Sequence, residues 1–318
     1  FLLSKENVCL AKEEVLALTN PKRFELFDNL LILETNKKNL HYRLAYTKKT
    51  YRFLFNSKQR DLIRSISDFP WQSIYRKDFC VRIHNNPFFQ EKDIASYIWT
   101  SVKNPRVNLT NPSTLIEFFF TKQRCICGVL LHTLKHNFER RKPHLRPGLH
   151  PTSLHPKLAR CLVNLLGVQR GTIIDPFCGS GGILIEAGLI GLKPVGYDIE
   201  QDMLNMAKAN LDHYKIKDYK LMRRDATKIA TRISYLVTDL PYGLNTKKQD
   251  LKKLYSSFLK NLEKILVKRA VVVFPNFINY KSLLKEICLK IRAEFTYYIH
   301  KSLSKRIVVL EPKWKSLP

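Results

Sequence analysis

Apolar residues recur at helical spacing from Val8 to Leu18 (Val8, Leu10, Ala11, Val15, Leu18), and Pro21 follows as a stop. Asn29 to Thr35 and Tyr51 to Phe55 have the short apolar and aromatic runs of strands, and Gln59 to Ser67 has the spacing of a helix. The aromatic turn Phe69-Pro70-Trp71 interrupts this pattern and reads as a boundary. Beyond it the chain predicts a strand over Phe79 to Ile83, a helix over Glu91 to Val102 and a turn at Val107-Asn108-Leu109-Thr110-Asn111-Pro112. Two further strands follow, Leu115 to Thr121 and Arg124 to Leu131. After Gly171 the pattern changes to four short apolar runs, Thr172 to Ile174, Pro194 to Tyr197, Ser234 to Val237 and Ala270 to Phe274, separated by helical stretches. Runs that are apolar on both faces belong to parallel strands covered by helices on both sides. The fold class is therefore α/β, and ligands are expected beyond the carboxyl ends of these strands.

At 318 residues and 45% apolar content the chain is long enough for about two to three domains with ordinary cores. The 55 Lys and Arg against 27 Asp and Glu leave a formal charge of +28, which points to a polyanionic partner. Nucleic acid is favoured over a membrane, because no apolar run approaches the roughly 20 residues of a membrane span. With no basic-then-apolar signal segment at Phe1, a cytoplasmic address is expected. The seven cysteines are scattered and odd in number, as free thiols in a reducing compartment would be. Cys125 and Cys127, with His132 and His136 nearby, do not have the spacing of a zinc site, and strand alternation directs both thiols to one sheet face. No metal is expected.

The charge is concentrated between Leu134 and Arg160, where seven Lys or Arg face one acid, Glu139, among four prolines. A stiff basic segment of this kind can neutralise phosphates, with Arg140, Arg141, Lys142 and Arg146 as the candidates. Its end opens a helix running through Leu166.

Two loops carry the chemistry. Asp175-Pro176-Phe177-Cys178-Gly179-Ser180-Gly181-Gly182 directly follows a predicted strand, and its glycines let backbone approach a ligand closely. It lacks the Gly-Lys-(Ser/Thr) of a triphosphate loop, and Leu184 occupies the place of the third glycine in a dinucleotide fingerprint. Asp198 ends the next apolar run, and Asp225 with Ala226 follows at a further strand end. Sixty-four residues after Asp175, Asp239-Leu240-Pro241-Tyr242-Gly243 places a carboxylate, backbone carbonyls and an aromatic face at one strand end. A conjugated exocyclic amine is a poor nucleophile, and fixed acceptors for its N–H groups stabilise the positive charge that develops on attack. Pro241 holds Leu240 extended and so directs its carbonyl, while the Tyr242 face can stack an extruded base.

Together these loops resemble those of the S-adenosylmethionine-dependent amino-methyltransferases, and the chain from Phe79 onward is similar to archaeal THUMP-containing tRNA guanine-N2 methyltransferases. The resemblance implies a C-terminal Rossmann-like methyltransferase fold with N-terminal ferredoxin-like and THUMP α+β units. The implied limits are 1–68 ferredoxin-like, 69–133 THUMP, 134–150 basic linker and 151–318 catalytic. It further implies S-adenosyl-L-methionine as cofactor, held by Thr152, Ser153, Asp175, Phe177, Gly179, Gly181, Asp198, Ile199, Asp225, Ala226 and Asp239. Asp239, Leu240, Pro241 and Tyr242 become the catalytic loop, with Leu240 departing from the proline common there. The implied product is N2-methylated guanine at position ten of tRNA, made by a monomer with room for an accessory subunit. The alternatives are guanine at position six, a catalytically silent tRNA-binding protein, and a DNA adenine-N6 methyltransferase.

Overall fold

The computed structural model describes residues 1–318 except 87, 123, 150–152, 243–247, 301–302 and 314–318, and of residues 248, 249, 300 and 303 the backbone alone. The first half runs β1 (Leu2–Leu3), α1 (Val8–Thr19), β2 (Phe24–Phe27), β3 (Leu30–Leu33), β4 (Thr47–Lys58), α2 (Leu62–Asp68), β5 (Phe79–His84), α3 (Glu91–Ser101), β6 (Thr114–Phe120) and β7 (Arg124–Thr133). The second runs α4 (Pro156–Leu165), β8 (Thr172–Asp175), α5 (Gly182–Gly188), β9 (Lys193–Asp198), α6 (Gln201–His213), β10 (Lys220–Arg223), β11 (Ile233–Asp239), α7 (Lys248–Ile265), β12 (Leu266–Pro275), α8 (Tyr280–Leu284), β13 (Leu289–His300) and β14 (Leu303–Pro312). Two compact units result, one of Phe1–Lys5, Pro21–Asn36 and Thr47–Lys135, the other of Glu6–Asn20, Lys37–Tyr46 and His136–Pro318.

The first unit is a seven-stranded sheet in the order β2-β3-β1-β4-β7-β6-β5. The expected division between 1–68 and 69–133 cuts through it, since β4 pairs antiparallel with β7 from Lys49↔Thr133 to Lys58↔Arg124. Trp71, read as part of a boundary, is instead core: it is 1% exposed and its indole N–H donates to the Ile66 carbonyl at 2.7 Å. An aromatic turn can mark the end of an element while its large side chain ties that element to the next strand. Ile66, Ile94, Ile98, Phe79 and Phe118 pack with it, and Cys125 and Cys127 share that core, on one face as alternation predicts. The turn after α3 is closed by Asn108, whose Oδ1 accepts from the amides of Thr110 and Asn111.

The second unit carries another seven-stranded sheet, ordered β10-β9-β8-β11-β12-β14-β13. β10 to β12 are parallel, and β14 enters antiparallel beside β12. Leu236, Val272, Phe274, Val308 and Leu310 pack against Tyr255, Phe258, Leu259 and Leu262 of α7. Val237, Val271 and Val273 are equally buried, so the central strands are apolar on both faces as their sequence predicts.

Two further limits move. α1 belongs to this unit, because its fully buried Glu14 accepts from the amides of Ala45 and Tyr46 and from Asn164 Nδ2 of α4. The segment expected as a linker over 134–150 is also structural from His136 onward. Arg141 Nε and Nη2 donate to Glu186 of α5 at 2.7 and 3.2 Å, and Gly148 exchanges two hydrogen bonds with the Asn210 side chain of α6.

Candidate active site

β8 and β11 are neighbours although β9 and β10 lie between them in sequence, so the strand order reverses at this junction. At such a point the loops leaving adjacent strands diverge and open a crevice at the carboxyl edge. The loop after β8 and the loop after β11 are the two singled out by the sequence. A hydrogen bond joins their roots, from Thr238 Oγ1 to Asp175 Oδ1 at 2.7 Å.

The first loop is organised by backbone. Asp175 is 1% exposed and also accepts from the Phe177 amide at 3.2 Å. Burial raises its carboxyl to about 7, and the neighbouring charges of Asp239 and Asp198 push in the same direction. Gly179 (φ +48) and Gly181 (φ +83) take left-handed conformations that favour glycine. A Cβ on Gly181 would lie 3.2 Å from the Ala207 Cβ of α6, whereas one on Gly179 would meet nothing within 4 Å. The space beside Gly179 is therefore open to a ligand. Phe177 packs edge-on against Phe258.

Around this loop stand the other expected donor contacts. Asp198 accepts from the Gly179 amide at 2.9 Å and from the Glu200 amide at 3.0 Å, so the carboxylate buttresses the loop. Ile199 is 60% exposed beside it. Ser153 lies 2.9 Å from Ser180, hydroxyl to hydroxyl, while Thr152 falls outside the described residues. Asp225 caps a short 3-10 turn through Thr227, whose amide and hydroxyl hold its carboxyl below the ordinary range. Ala226 is buried and its carbonyl accepts from Asn261.

The second loop is organised by side chains. Leu240 is buried and its amide donates to the Val273 carbonyl at 3.1 Å, fixing the exit from β11. Pro241 follows at the surface, and its carbonyl accepts from the Tyr255 hydroxyl. The Tyr242 hydroxyl turns back to Asp239 Oδ2 at 3.2 Å. That same oxygen pairs with Lys305 Nζ of β14, which also contacts the Tyr242 hydroxyl and lies 4.5 Å from its ring centroid. Asp239 Oδ1 is buried and has no hydrogen-bond partner among the described residues. Burial raises the Asp239 carboxyl, and the Lys305 ammonium opposes that rise.

Lys305 is the residue that reading the sequence missed. It sits 2% exposed opposite Pro275, in a strand with no motif of its own. The available signal is phase: Lys305 alternates with Ile307 and Val309, both buried, so a lysine occupies an inward position of an apolar strand.

Two of the four expected RNA contacts are also corrected. Arg141 is spent on Glu186, together with Arg160, because a fully buried carboxylate requires cationic partners. Arg146 is 5% exposed, with Nε on the Arg141 carbonyl and its guanidinium against Gly182. Arg140 is exposed, and Lys142 is half-buried and paired with Glu139.

A family model described as an RMKL-like methyltransferase domain matches residues 143–305, which run from the segment before α4 to Lys305. A tRNA (guanine(10)-N2)-dimethyltransferase of Methanothermobacter thermautotrophicus is 35% identical over 86% of this chain and 85% of its own length. The chain belongs to this methyltransferase family. Relatives with the same description in Pyrococcus abyssi and Methanocaldococcus jannaschii are each 34% identical, over 80% and 78% of the chain and 80% and 76% of their own lengths. A second model, described as DNA methylase, matches residues 3–209 and ends before β11 and its loop. Among solved structures, TrmN from Thermus thermophilus has the same fold, with a TM-score of 0.50 and 20% identity over 98% of both chains. For this methyltransferase, the junction of β8 and β11 thus joins the loops expected for donor and acceptor. No described helix is long and apolar enough to cross a membrane.

Proposed function

We propose that this methyltransferase acts on the exocyclic N2 of guanine in tRNA, at position ten, giving N2-methyl- and N2,N2-dimethylguanosine. The observation that carries the reading is the buried Asp239 Oδ1, without a hydrogen-bond partner among the described residues, at the junction of the two loops. A buried carboxylate oxygen without a donor is costly, and an amine N–H arriving there removes that cost.

S-adenosylmethionine, when bound, supplies a methyl group already activated on a sulfonium. The open space at Gly179 and the backbone-held turn to Gly181 suit it, with Ser153, Asp198, Ile199, Asp225 and Ala226 around the same edge. Asp239 Oδ1 accepts one N–H of the base amine and the Leu240 carbonyl accepts the other, while the Tyr242 face receives the ring. A donor held there would supply its methyl carbon to the nitrogen and keep the C–S electron pair on sulfur. The proton released from nitrogen passes to Asp239 Oδ1 and then to water.

The first unit, with its Asn108 turn, is read as the THUMP-bearing part that grips tRNA, and Arg140 and Lys142 are the cations left for phosphates. Incubating the protein with an unmodified tRNA transcript and methyl-labelled donor, then mapping the modified nucleotide, tests this. Label in N2-methylguanosine at position ten supports it, label at position six selects the sister activity, and label in duplex DNA adenine alone overturns it.

A further inference from the structure

Lys305 is a fully buried lysine whose ammonium meets only side chains of the acceptor loop, the Asp239 carboxylate and the Tyr242 hydroxyl and ring, among the described residues. Burying an ammonium in the interior of a sheet is expensive unless the charge is paired. Here it occupies Asp239 Oδ2 from the side of β14, which leaves Oδ1 as the carboxylate oxygen without a partner among the described residues. We propose that Lys305 is a positioning residue for methyl transfer, holding Asp239 in its charged form and selecting Oδ1 as the acceptor presented to the substrate amine. This rests on Asp239 being the amine acceptor, as argued above.

The environment makes the charge matter. From β8, Asp175 faces Asp239 and disfavours a second negative charge; from its own loop and from α7 come the Tyr242 and Tyr255 hydroxyls, both pushed up by burial and so protonated throughout the working range. Burial is the main effect that disfavours the Asp239 charge; the Lys305 ammonium opposes it most strongly, the donating Tyr242 hydroxyl adds to that, and burial lowers the affinity of Lys305 for its own proton in turn. Without Lys305 the carboxyl of Asp239 moves further upward, and its protonated form is a weaker acceptor that cannot take the proton of the amine. The sign is fixed: loss of Lys305 shifts the acid limb of the rate profile to higher pH.

The test is the single-turnover methylation rate against pH for the parent, Lys305→Met, Lys305→Ala and the Asp239→Asn and Asp239→Asn/Lys305→Met pair, with donor affinity by calorimetry. Lys305→Met is expected to slow transfer by about a hundredfold at neutral pH. Donor affinity should stay within about threefold, and the acid limb should rise by about one pH unit or more. Ethylammonium should restore about tenfold of the rate lost in Lys305→Ala, a readout independent of how well the methionine packs. Since an amide needs no counter-charge, the double variant should be no slower than Asp239→Asn. A slower Lys305→Met enzyme whose pH profile overlays the parent's, or independent losses in the double variant, overturns the proposal. If the parent methylates an amine other than guanine N2, the functional reading fails while the Lys305 comparison is still read on that amine.

Discussion

The loop after β8 and the loop after β11 each begin with an aspartate at the end of a parallel strand, yet they are stabilised in opposite ways. Asp175 and Asp198 accept hydrogen bonds from amides of their own loop neighbourhood, and left-handed glycines shape the turn between them. Asp239 is held by a lysine 66 residues further along the chain and by a tyrosine hydroxyl, with one oxygen left unpartnered among the described residues. A backbone-lined loop offers shape and fixed donors, which suits binding a ligand that stays whole. A loop fixed by side chains can leave one acceptor unsatisfied, which suits a group that must meet charge as it develops.

The sharpest way to break this contrast is Asp239→Ala. Methylation should fall by at least about a hundredfold at saturating donor while donor affinity stays within a few-fold of the parent. If calorimetry shows donor affinity falling in step with rate, the two loops do not divide the work as described. Gly181→Ala attacks the other side, since it forces a side chain into a left-handed conformation 3.2 Å from Ala207. A stability loss of about 1–3 kcal/mol, seen in denaturant unfolding, and weaker donor binding should accompany it. Unchanged stability would show that the turn has another conformation available.

Asp198→Ala is expected to act more mildly, removing the acceptor for the Gly179 and Glu200 amides. Donor affinity should weaken by about tenfold, the scale of one or two charge-assisted hydrogen bonds, with the rate at saturating donor nearly retained. A rate loss at full saturation would move Asp198 from binding to chemistry.

The smallest effect concerns Asp175. Its folded-state value of about 7 lies above the ordinary 3.8, so its contribution to stability is full at acid pH and is lost as pH rises through neutrality. Asp175→Asn keeps an acceptor for Thr238 and Phe177 and removes the titration. The variant should melt a few degrees above the parent at pH 8, and the gap should narrow by about half towards pH 5.5. A gap that is independent of pH would show that Asp175 is charged throughout.

Where periodicity is local, the sequence was readable. The helix from Val8, the helix from Glu91, four of the five parallel strands and the two loops stand where apolar spacing, glycines and prolines put them, while β10, short and half charged, has no such signal. Assembly was less readable. Nothing in the spacing of α1 says that its buried Glu14 will meet Asn164 of α4, or that β4 will pair with β7 across the aromatic turn at Trp71. Arg141 and Arg146 look like their exposed neighbour Arg140 in a basic run, and only the packing separates them: Arg141 is drawn to the buried Glu186 of α5, and Arg146 is buried against Gly182 with its Nε on the Arg141 carbonyl.

The acceptor loop shows the division most clearly. Residue types and order alone determined that Asp239-Leu240-Pro241-Tyr242 closes a parallel strand, because a carboxylate, a directed carbonyl and a flat ring within four residues are properties of the covalent chain. Which oxygen of Asp239 Lys305 takes, and which is left without a partner among the described residues, was decided by tertiary structure. β14 returns antiparallel beside β12 and brings Lys305 up to that carboxylate, so the electrostatics of the site depend on a strand pairing that no local pattern encodes.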